Sequence, residues 1–335
     1  MSPQADYSSA LLQRARSGDS RAFDELIATY RSELRAHCYR MLGSVHDADD
    51  ALQDAVFRAW KALPGFTERG TVRAWLYSIA TNTALDVATH RSRRELPVYL
   101  GPASGPDADL EPAYADIPWL EPYPDQWLAT DPDARFEQRE SVELAFLIAL
   151  QQLPPLQRAV LLLRGVIGYS AAEIAAQLGT STASVNSALQ RARATVRAQR
   201  PEATQQQTLS ALGEQKTRAL AQQYADAMER ADVDAIISML TEDATWSMPP
   251  IPNYFRGHAA VASFLRRFPL TKSWMHRPTT VNGQLAIGCY MYDPTQRAYL
   301  PHCLDVLTLR DDRISAVTAF LGADFPRFGL PVDVG

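Results

Sequence analysis

The sequence predicts a multidomain chain: two all-α modules, a helical bundle and a helix-turn-helix, followed by an α+β domain. Three observations predict it. Residues 11–94 and 141–198 repeat apolar side chains at helical spacing. Residues 95–140 carry eight prolines, from Pro97 to Pro132, and follow no period. From about residue 215, two helical stretches give way to period-2 alternation, with Asn282-Gly283 and Asp311-Asp312 at turn positions.

At 335 residues the chain is long enough for two or three cores. No apolar run approaches the roughly 20 residues of a membrane-spanning helix, and MSPQADYSSA lacks the basic and apolar stretches of a secretory signal. Cys38, Cys289 and Cys303 form a sparse, odd set that fits a reducing cytoplasm and no disulfide framework. Cys38 follows His37 and Cys303 follows His302, but no CxxC or HxxxH spacing completes a ligand set, so neither metal nor cofactor is expected. The net charge of −5 is unevenly spread. Residues 95–140 hold 2 Lys+Arg against 11 Asp+Glu, whereas residues 141–200 hold 6 against 2. Segment charge decides what meets phosphate, and the second segment is basic.

In the N-terminal module, Asp47 to Trp60 reads as a helix with Leu52, Ala55, Val56 and Ala59 as its core stripe. Asp47, Asp50 and Asp54 fall on another face. Such a stripe is either solvated surface or a docking face for a basic helix. A further helix begins near Thr71, with Val72, Trp75, Leu76, Ile79, Thr83 and Val87 inward. Arg73, Tyr77, Asn82 and Asp86 lie elsewhere on it, and Arg91, Arg93 and Arg94 crowd its end. Rings, amides and cations on one surface suit unpaired bases, though the arginines also complement the helix dipole. The proline-rich acidic stretch that follows reads as an extended linker.

From Glu140, a helix through Val142, Phe146, Leu150 and Leu153 stops at Pro154-Pro155. A second follows through Ala159 and Leu163, and then Ser170 and Glu173 form a capping box. Ile174, Ala175 and Leu178 face inward, Gly179 permits a sharp turn, and Thr180, Ser181 or Thr182 caps a last helix built on Val185, Leu189, Ala192 and Val196. Its outer face carries Ser184, Asn186, Ser187, Gln190, Arg191, Arg193 and Arg197. Short polar groups near the start and arginines beyond match a recognition helix, whose start reads bases while later cations reach phosphates. Residues 201–214 read as a polar connector.

Three segments carry a resemblance. DADDALQDAVFRAWKAL, VRAWLYSIATNTALD with its arginine cluster, and ALQQLPPLQRAVLLL running on to GYSAAEIAAQLGTSTASVNSALQRAR resemble conserved-type regions of the sigma-70 family, in its extracytoplasmic-function branch. The resemblance implies core RNA polymerase (β′ and β subunits) and promoter DNA as partners. Asp47, Asp50, Gln53 and Asp54 would bind the β′ coiled coil. Arg73, Tyr77, Asn82, Asp86 and Arg91 would serve the −10 element, with Asn82 near a flipped base. The helix-turn-helix at 171–190 would read the −35 element through Ser184, Asn186, Ser187, Gln190, Arg191, Arg193 and Arg197. Ala51 and Ala55 stand where the family often has larger residues, and the linker is longer than in a minimal member.

The last 120 residues resemble SnoaL-like domains of the nuclear-transport-factor-like superfamily, α+β cones whose helices cover a curved sheet. The marks are LAQQYADAMERADVDAIISMLTEDATWSMPP, Gly257-His258, Met248–Tyr254 and Phe328–Pro331, the last two as in sigma factors of the sigma-G type. Trp246, Tyr254, His258, Trp274, Tyr290 and His302 are candidate pocket residues, although aromatics at strand spacing also build cores. His302 and Asp305, three apart on a strand, are expected to face opposite sides. No nucleophile elbow, phosphate loop or zinc helix appears. The expected organisation is region 2 at 11–94, a linker at 95–140, region 4 at 141–200 and a regulatory domain at 215–335. The expected function is that of a non-enzymatic, cytoplasmic sigma factor modulated by its own C-terminal domain, with an anti-sigma factor or small ligand as further candidate partners and no membrane association. The alternatives are a stand-alone helix-turn-helix regulator and an enzyme or ligand sensor in the last domain.

Overall fold

Residues 3–66, 71–128, 138–199 and 203–334 are described in the computed structural model. Contacts group the chain into two units: Met1–Arg93, Trp127–Ser141 and Ala149–Arg200 in one, Arg94–Gln126, Val142–Ile148 and Pro201–Gly335 in the other.

The first unit is helical. Helices α1 (Pro3–Arg16), α2 (Ser20–Leu42), α3 (Val45–Ala62) and α4 (Val72–His90) form its N-terminal part. Side-chain oxygens of Asp19, Ser44 and Thr71 accept the amides of Ala22, Asp47 and Ala74, satisfying donors that a helix start leaves unpaired. Gly43, at φ 67°, closes α2 in the left-handed conformation. Leu26, Ile27, Leu34, Leu52, Leu76 and Ala80 are buried, and the Phe23 ring lies 5.0 Å from Trp60. His37 is fully buried and hydrogen-bonds Thr81 at 2.9 Å. Burial, helped by Arg40 and Arg73, pushes its ring down to about 3.

This yields a pH prediction. The unfolded chain takes up a proton at His37 below its ordinary value of 6.5, and the folded chain only near 3. The neutral ring's contribution is therefore fully present above 6.5 and is lost as the pH falls from 6.5 toward 3. Within that window His37 alone steepens the loss of stability by up to about 1.4 kcal/mol per pH unit. Urea unfolding of the wild type and His37→Gln, compared over the window, is expected to show a shallower acid slope in the variant. Equal slopes would refute the assignment.

The same unit holds α6 (Pro155–Gly165), α7 (Ala171–Gln177), α8 (Thr182–Gln199) and the end of α5 (Leu144–Gln151). Pro155 occupies a first-turn position where no amide is needed. Arg158, 4% exposed, donates Nε to the Leu150 carbonyl (2.9 Å) and Nη2 to those of Gln151 (3.2 Å) and Leu153 (3.1 Å). Its Nη1 donates to the Met41 carbonyl. One guanidinium thus satisfies carbonyls at the ends of α5 and α2.

The second unit contains a six-stranded sheet in the order β2-β1-β6-β5-β4-β3, formed by β1 (Leu240–Met248), β2 (Ile251–Arg256), β3 (Trp274–Val281), β4 (Gln284–Asp293), β5 (Ala298–Arg310) and β6 (Arg313–Leu321). All neighbours are antiparallel except β1 and β6. Asn282 (φ 56°) and Gly283 (φ 66°) turn β3 into β4, the conformation a two-residue hairpin demands. Helices α10 (Glu214–Glu229), α11 (Val233–Met239) and α12 (His258–Arg267) supply Leu220, Tyr224, Ile236, Val261 and Phe264 to a core shared with Trp246, Ile287 and Val317.

Two expectations are corrected. The stretch read as a polar connector contains α9 (Gln205–Leu212), opened by a capping box of Thr204 and Gln207. The linker is not an open strand over 94–126. Tyr123 and Asn282 exchange hydrogen bonds of 2.9 Å, Asp125 accepts the Gly283 amide (2.8 Å), and Leu120 and Tyr123 are buried. Unpaired backbone seeks partners, and the sheet's turn and edge provide them. Residues 129–137, including Pro132, lie outside the described residues. Among the described residues no helix is long and apolar enough to cross a membrane.

Candidate nucleic-acid and partner interfaces

On α3, Ala48, Ala51, Leu52, Ala55 and Ala59 face the core. Asp50 and Gln53 are left exposed, and Asp54 is half-buried and paired with Arg58 at 2.8 Å. Asp47 differs from the expectation. It is 7% exposed and ion-pairs with Arg91, so the carboxylate stripe presents two acids, not three. The same face also carries a large apolar ring outside the expected set. Phe57 is 54% exposed with Lys61 Nζ 4.0 Å above its ring, and beside it lies a groove of about 370 Å3 lined by Phe23, Gln53, Val56 and Trp60. A large exposed ring next to acids was the available signal.

Helix α4 packs against α2, α3 and α6, so less of it is free than its polar residues suggested. Asn82 is exposed, and Asp86 is exposed with its carboxylate on Arg58 at 3.0 Å. Arg73 is half-buried and grips Glu33 through Nε and Nη2 at 2.8–3.1 Å. Tyr77 is withdrawn entirely: 1% exposed, it sits edge-on to His37 and Tyr169 and donates to Glu33 at 3.2 Å. A ring so enclosed offers no stacking surface, which corrects its placement among base-contacting groups. Arg91 spends its charge on Asp47.

The helix-turn-helix has the local chemistry expected. Ser170 and Glu173 complete their reciprocal box, Gly179 stands at φ 62°, and Ser181 accepts the Ser184 amide at 3.1 Å as the true cap of α8. Ile174, Ala175, Val185, Ala188, Leu189, Ala192 and Val196 are buried. Ser184, Asn186, Ser187, Gln190, Arg191, Arg193 and Arg197 are all exposed on the opposite side. Arg191 donates to Ser187 at 2.6 Å. No carboxylate occurs on this helix.

In the second unit the helices and sheet enclose a cavity of about 400 Å3. Of the six candidate pocket residues, Trp246, Trp274 and His302 line it. Tyr254, His258 and Tyr290 do not. Tyr254 is buried, His258 opens α12 against the Leu240 carbonyl (3.3 Å), and Tyr290 packs on Phe325 and donates to the Pro331 carbonyl (3.0 Å). His302 and Asp305 both face the cavity, contrary to the alternation rule. The pairing register passes from Cys289–Cys303 to Tyr290–Pro301, leaving His302 as the extra residue of a bulge that redirects its side chain. That register also sets Cys289 opposite Cys303, with Asp305 two residues on. Their ligating atoms lie within 4.8 Å of one another, a grouping that linear spacing could not reveal. Burial holds the Cys289 thiol well above its ordinary range.

Family models agree with this architecture. Residues 26–94 match Sigma-70 region 2, residues 143–196 match Sigma-70, region 4, and residues 221–317 match the SnoaL-like domain. The ECF RNA polymerase sigma factor SigG of Mycobacterium tuberculosis is 43% identical over 322 residues, spanning 94% of this chain and 85% of that one. This chain belongs to the ECF RNA polymerase sigma factors. SigW of Bacillus subtilis, another ECF sigma factor, is 29% identical over 56% of this chain and 94% of its own. The crystal structure of the Mycobacterium tuberculosis ECF sigma factor SigJ superposes with a TM-score of 0.58 at 23% identity, covering 91% of this chain and 98% of that one, a likeness of fold. As an ECF sigma factor the chain is a transcription-initiation factor, and its C-terminal domain is an appended SnoaL-like module.

Proposed function

We propose that this sigma factor holds core RNA polymerase through the exposed face of α3, where Asp50 and Gln53 meet the β′ coiled coil and Phe57 packs beside them, with further contacts to β. Asn82 on α4, supported by Arg73, Asp86 and Arg91, would capture a base of the −10 element. The outer face of α8 would read the −35 element. The division into region 2 at 11–94, connector at 95–140, region 4 at 141–200 and regulatory domain at 215–335 belongs to the same reading, as do a cytoplasmic location and an anti-sigma partner. In this reading the C-terminal domain modulates initiation and catalyses nothing. The observation that carries it is the acid-free α8, with seven polar or cationic side chains exposed behind a capped helix and glycine turn.

Run-off transcription with purified core polymerase tests it. The wild-type chain is expected to give specific transcripts from promoters of its own genome. Asp50→Arg is expected to lower core affinity at least tenfold, since reversing a docking charge costs several kcal/mol (roughly 2 or more). Its DNA binding without polymerase should be unchanged. Retained core binding would overturn the docking assignment, and silence on every promoter would overturn the whole.

A further inference from the structure

The cavity of the second unit has a lining of unlike groups. Its body is apolar: Trp246, Met248, Phe264, Trp274, Met291 and Leu321. Two buried polar groups also line it: His276, with neither ring nitrogen hydrogen-bonded and Nδ1 3.7 Å from the Glu229 carboxylate, and Asp305, which receives the Tyr224 hydroxyl at 2.7 Å. An anion is unwelcome beside them. Arg267 and Lys272 also line the cavity and supply its positive charge.

One wall comes from the connector. Residues 104–114 are strapped to the sheet and α12 by a series of polar contacts. The Ser104 amide donates to the Tyr254 carbonyl (2.8 Å) and the Tyr114 amide to that of Pro250 (3.0 Å). Asn253 accepts the Glu111 amide (2.7 Å) and donates to the Asp109 carbonyl (3.3 Å) and Ser104 (3.0 Å). Ser263 donates to the Pro106 carbonyl at 2.6 Å. Arg267 donates to the Ala108 carbonyl (2.9 Å) and the Asp109 carboxylate (2.6 Å). Between these anchors Leu110 packs on the core and forms part of the cavity lining. The strap thus offers the cavity an apolar side chain and, one residue away, a carboxylate on its arginine.

We propose that the cavity binds a small amphipathic acid, an apolar body with one carboxylate, that competes with Asp109-Leu110. The body fills the aromatic and methionine-lined space and displaces Leu110, while the head takes Arg267 from Asp109 with Lys272 beside it. Two anchors of the strap are lost together, which loosens residues 104–114 on the sheet. A pocket of this volume lies within the ordinary range of small-molecule sites, and a guanidinium that holds one carboxylate presents the planar fork that another can take in exchange. If the C-terminal domain modulates initiation, as proposed above, occupancy of this cavity is how a signal reaches the connector.

Decanoate is the probe, decan-1-ol its uncharged control, and the full-length chain the sample. Calorimetry is expected to show one saturable site, with decanoate roughly tenfold tighter than the alcohol. Asp109→Asn with Leu110→Ser, two changes on the connector, is expected to tighten decanoate several-fold (about three or more) by removing the internal competitor. Arg267→Gln is expected to erase the preference for the acid. Hydrogen exchange at residues 104–114 should accelerate when decanoate is bound. No saturable binding, equal affinity for acid and alcohol, or slower exchange in the strap would each overturn the proposal. Transcription with and without decanoate separates this outcome from the regulatory reading: binding and strap release without any change in transcripts would leave the site standing and sink the regulation.

Discussion

Replacing Arg158 with methionine is expected to unfold the helical unit or leave it several kcal/mol (about 3 to 5) less stable. The side chain is 4% exposed, and its donors reach four backbone carbonyls, those of Met41, Leu150, Gln151 and Leu153. Methionine fills much of the volume but donates nothing, so carbonyls at two helix ends stay dry and unpaired. Burial lowers the guanidinium to about 10, still far enough above neutrality to keep it charged. Arg158→Lys tests geometry separately from charge: one ammonium lacks the planar fork that serves four acceptors, and most of the loss should remain. Urea denaturation followed by circular dichroism measures both variants. A loss below about 1 kcal/mol for the methionine variant would mean that the carbonyls find other partners.

Removing the arginines of α8 should have the largest effect on DNA binding. Arg191, Arg193 and Arg197 are exposed beyond the polar start of the helix, where phosphates would pass. The Arg191→Ala, Arg193→Ala, Arg197→Ala triple variant is expected to bind promoter DNA on the order of a hundredfold or more weakly at moderate salt. The plot of log affinity against log salt should be shallower by up to about 2.7, near 0.9 for each phosphate no longer neutralised. Fluorescence anisotropy over a salt series gives both numbers. Because phosphates carry no sequence information, specific and non-specific DNA should lose alike. A selective loss on the specific site would place the arginines on base edges instead.

What the sequence disclosed was local. The Ser170–Glu173 box, the Gly179 turn and the Asn282-Gly283 hairpin each depend on a few adjacent residues, and each is found where its chemistry requires. The Thr204–Gln207 box is equally local, but its polar segment carries no apolar stripe to mark a helix. The misplacements came from long-range partners. Tyr77 reads as surface beside Arg73 and Asn82, yet Glu33, His37 and Tyr169 enclose it. Asp47 reads as part of a free stripe until Arg91, 44 residues on, returns to it. His302 escaped the period-2 rule through a one-residue bulge, which strand alternation cannot signal. The strap over the cavity depends on Asn253 and Arg267, more than 140 residues from the atoms they hold, and composition described that stretch only as proline-rich and acidic.

The exchange of hydrogen bonds between Tyr123 and Asn282 also sets how this chain can be cut and grafted. A scissor placed at residue 210 or 215 would discard Asn253, Asn282 and Gly283 while keeping the connector that they hold. Tyr123, now 0% exposed, would be stripped of Asn282, inviting aggregation and proteolysis unrelated to any lost control. The transplantable module is the last domain together with residues 94–126 and 142–148. Chimaeras between such factors should therefore exchange the connector and the tail as one cassette.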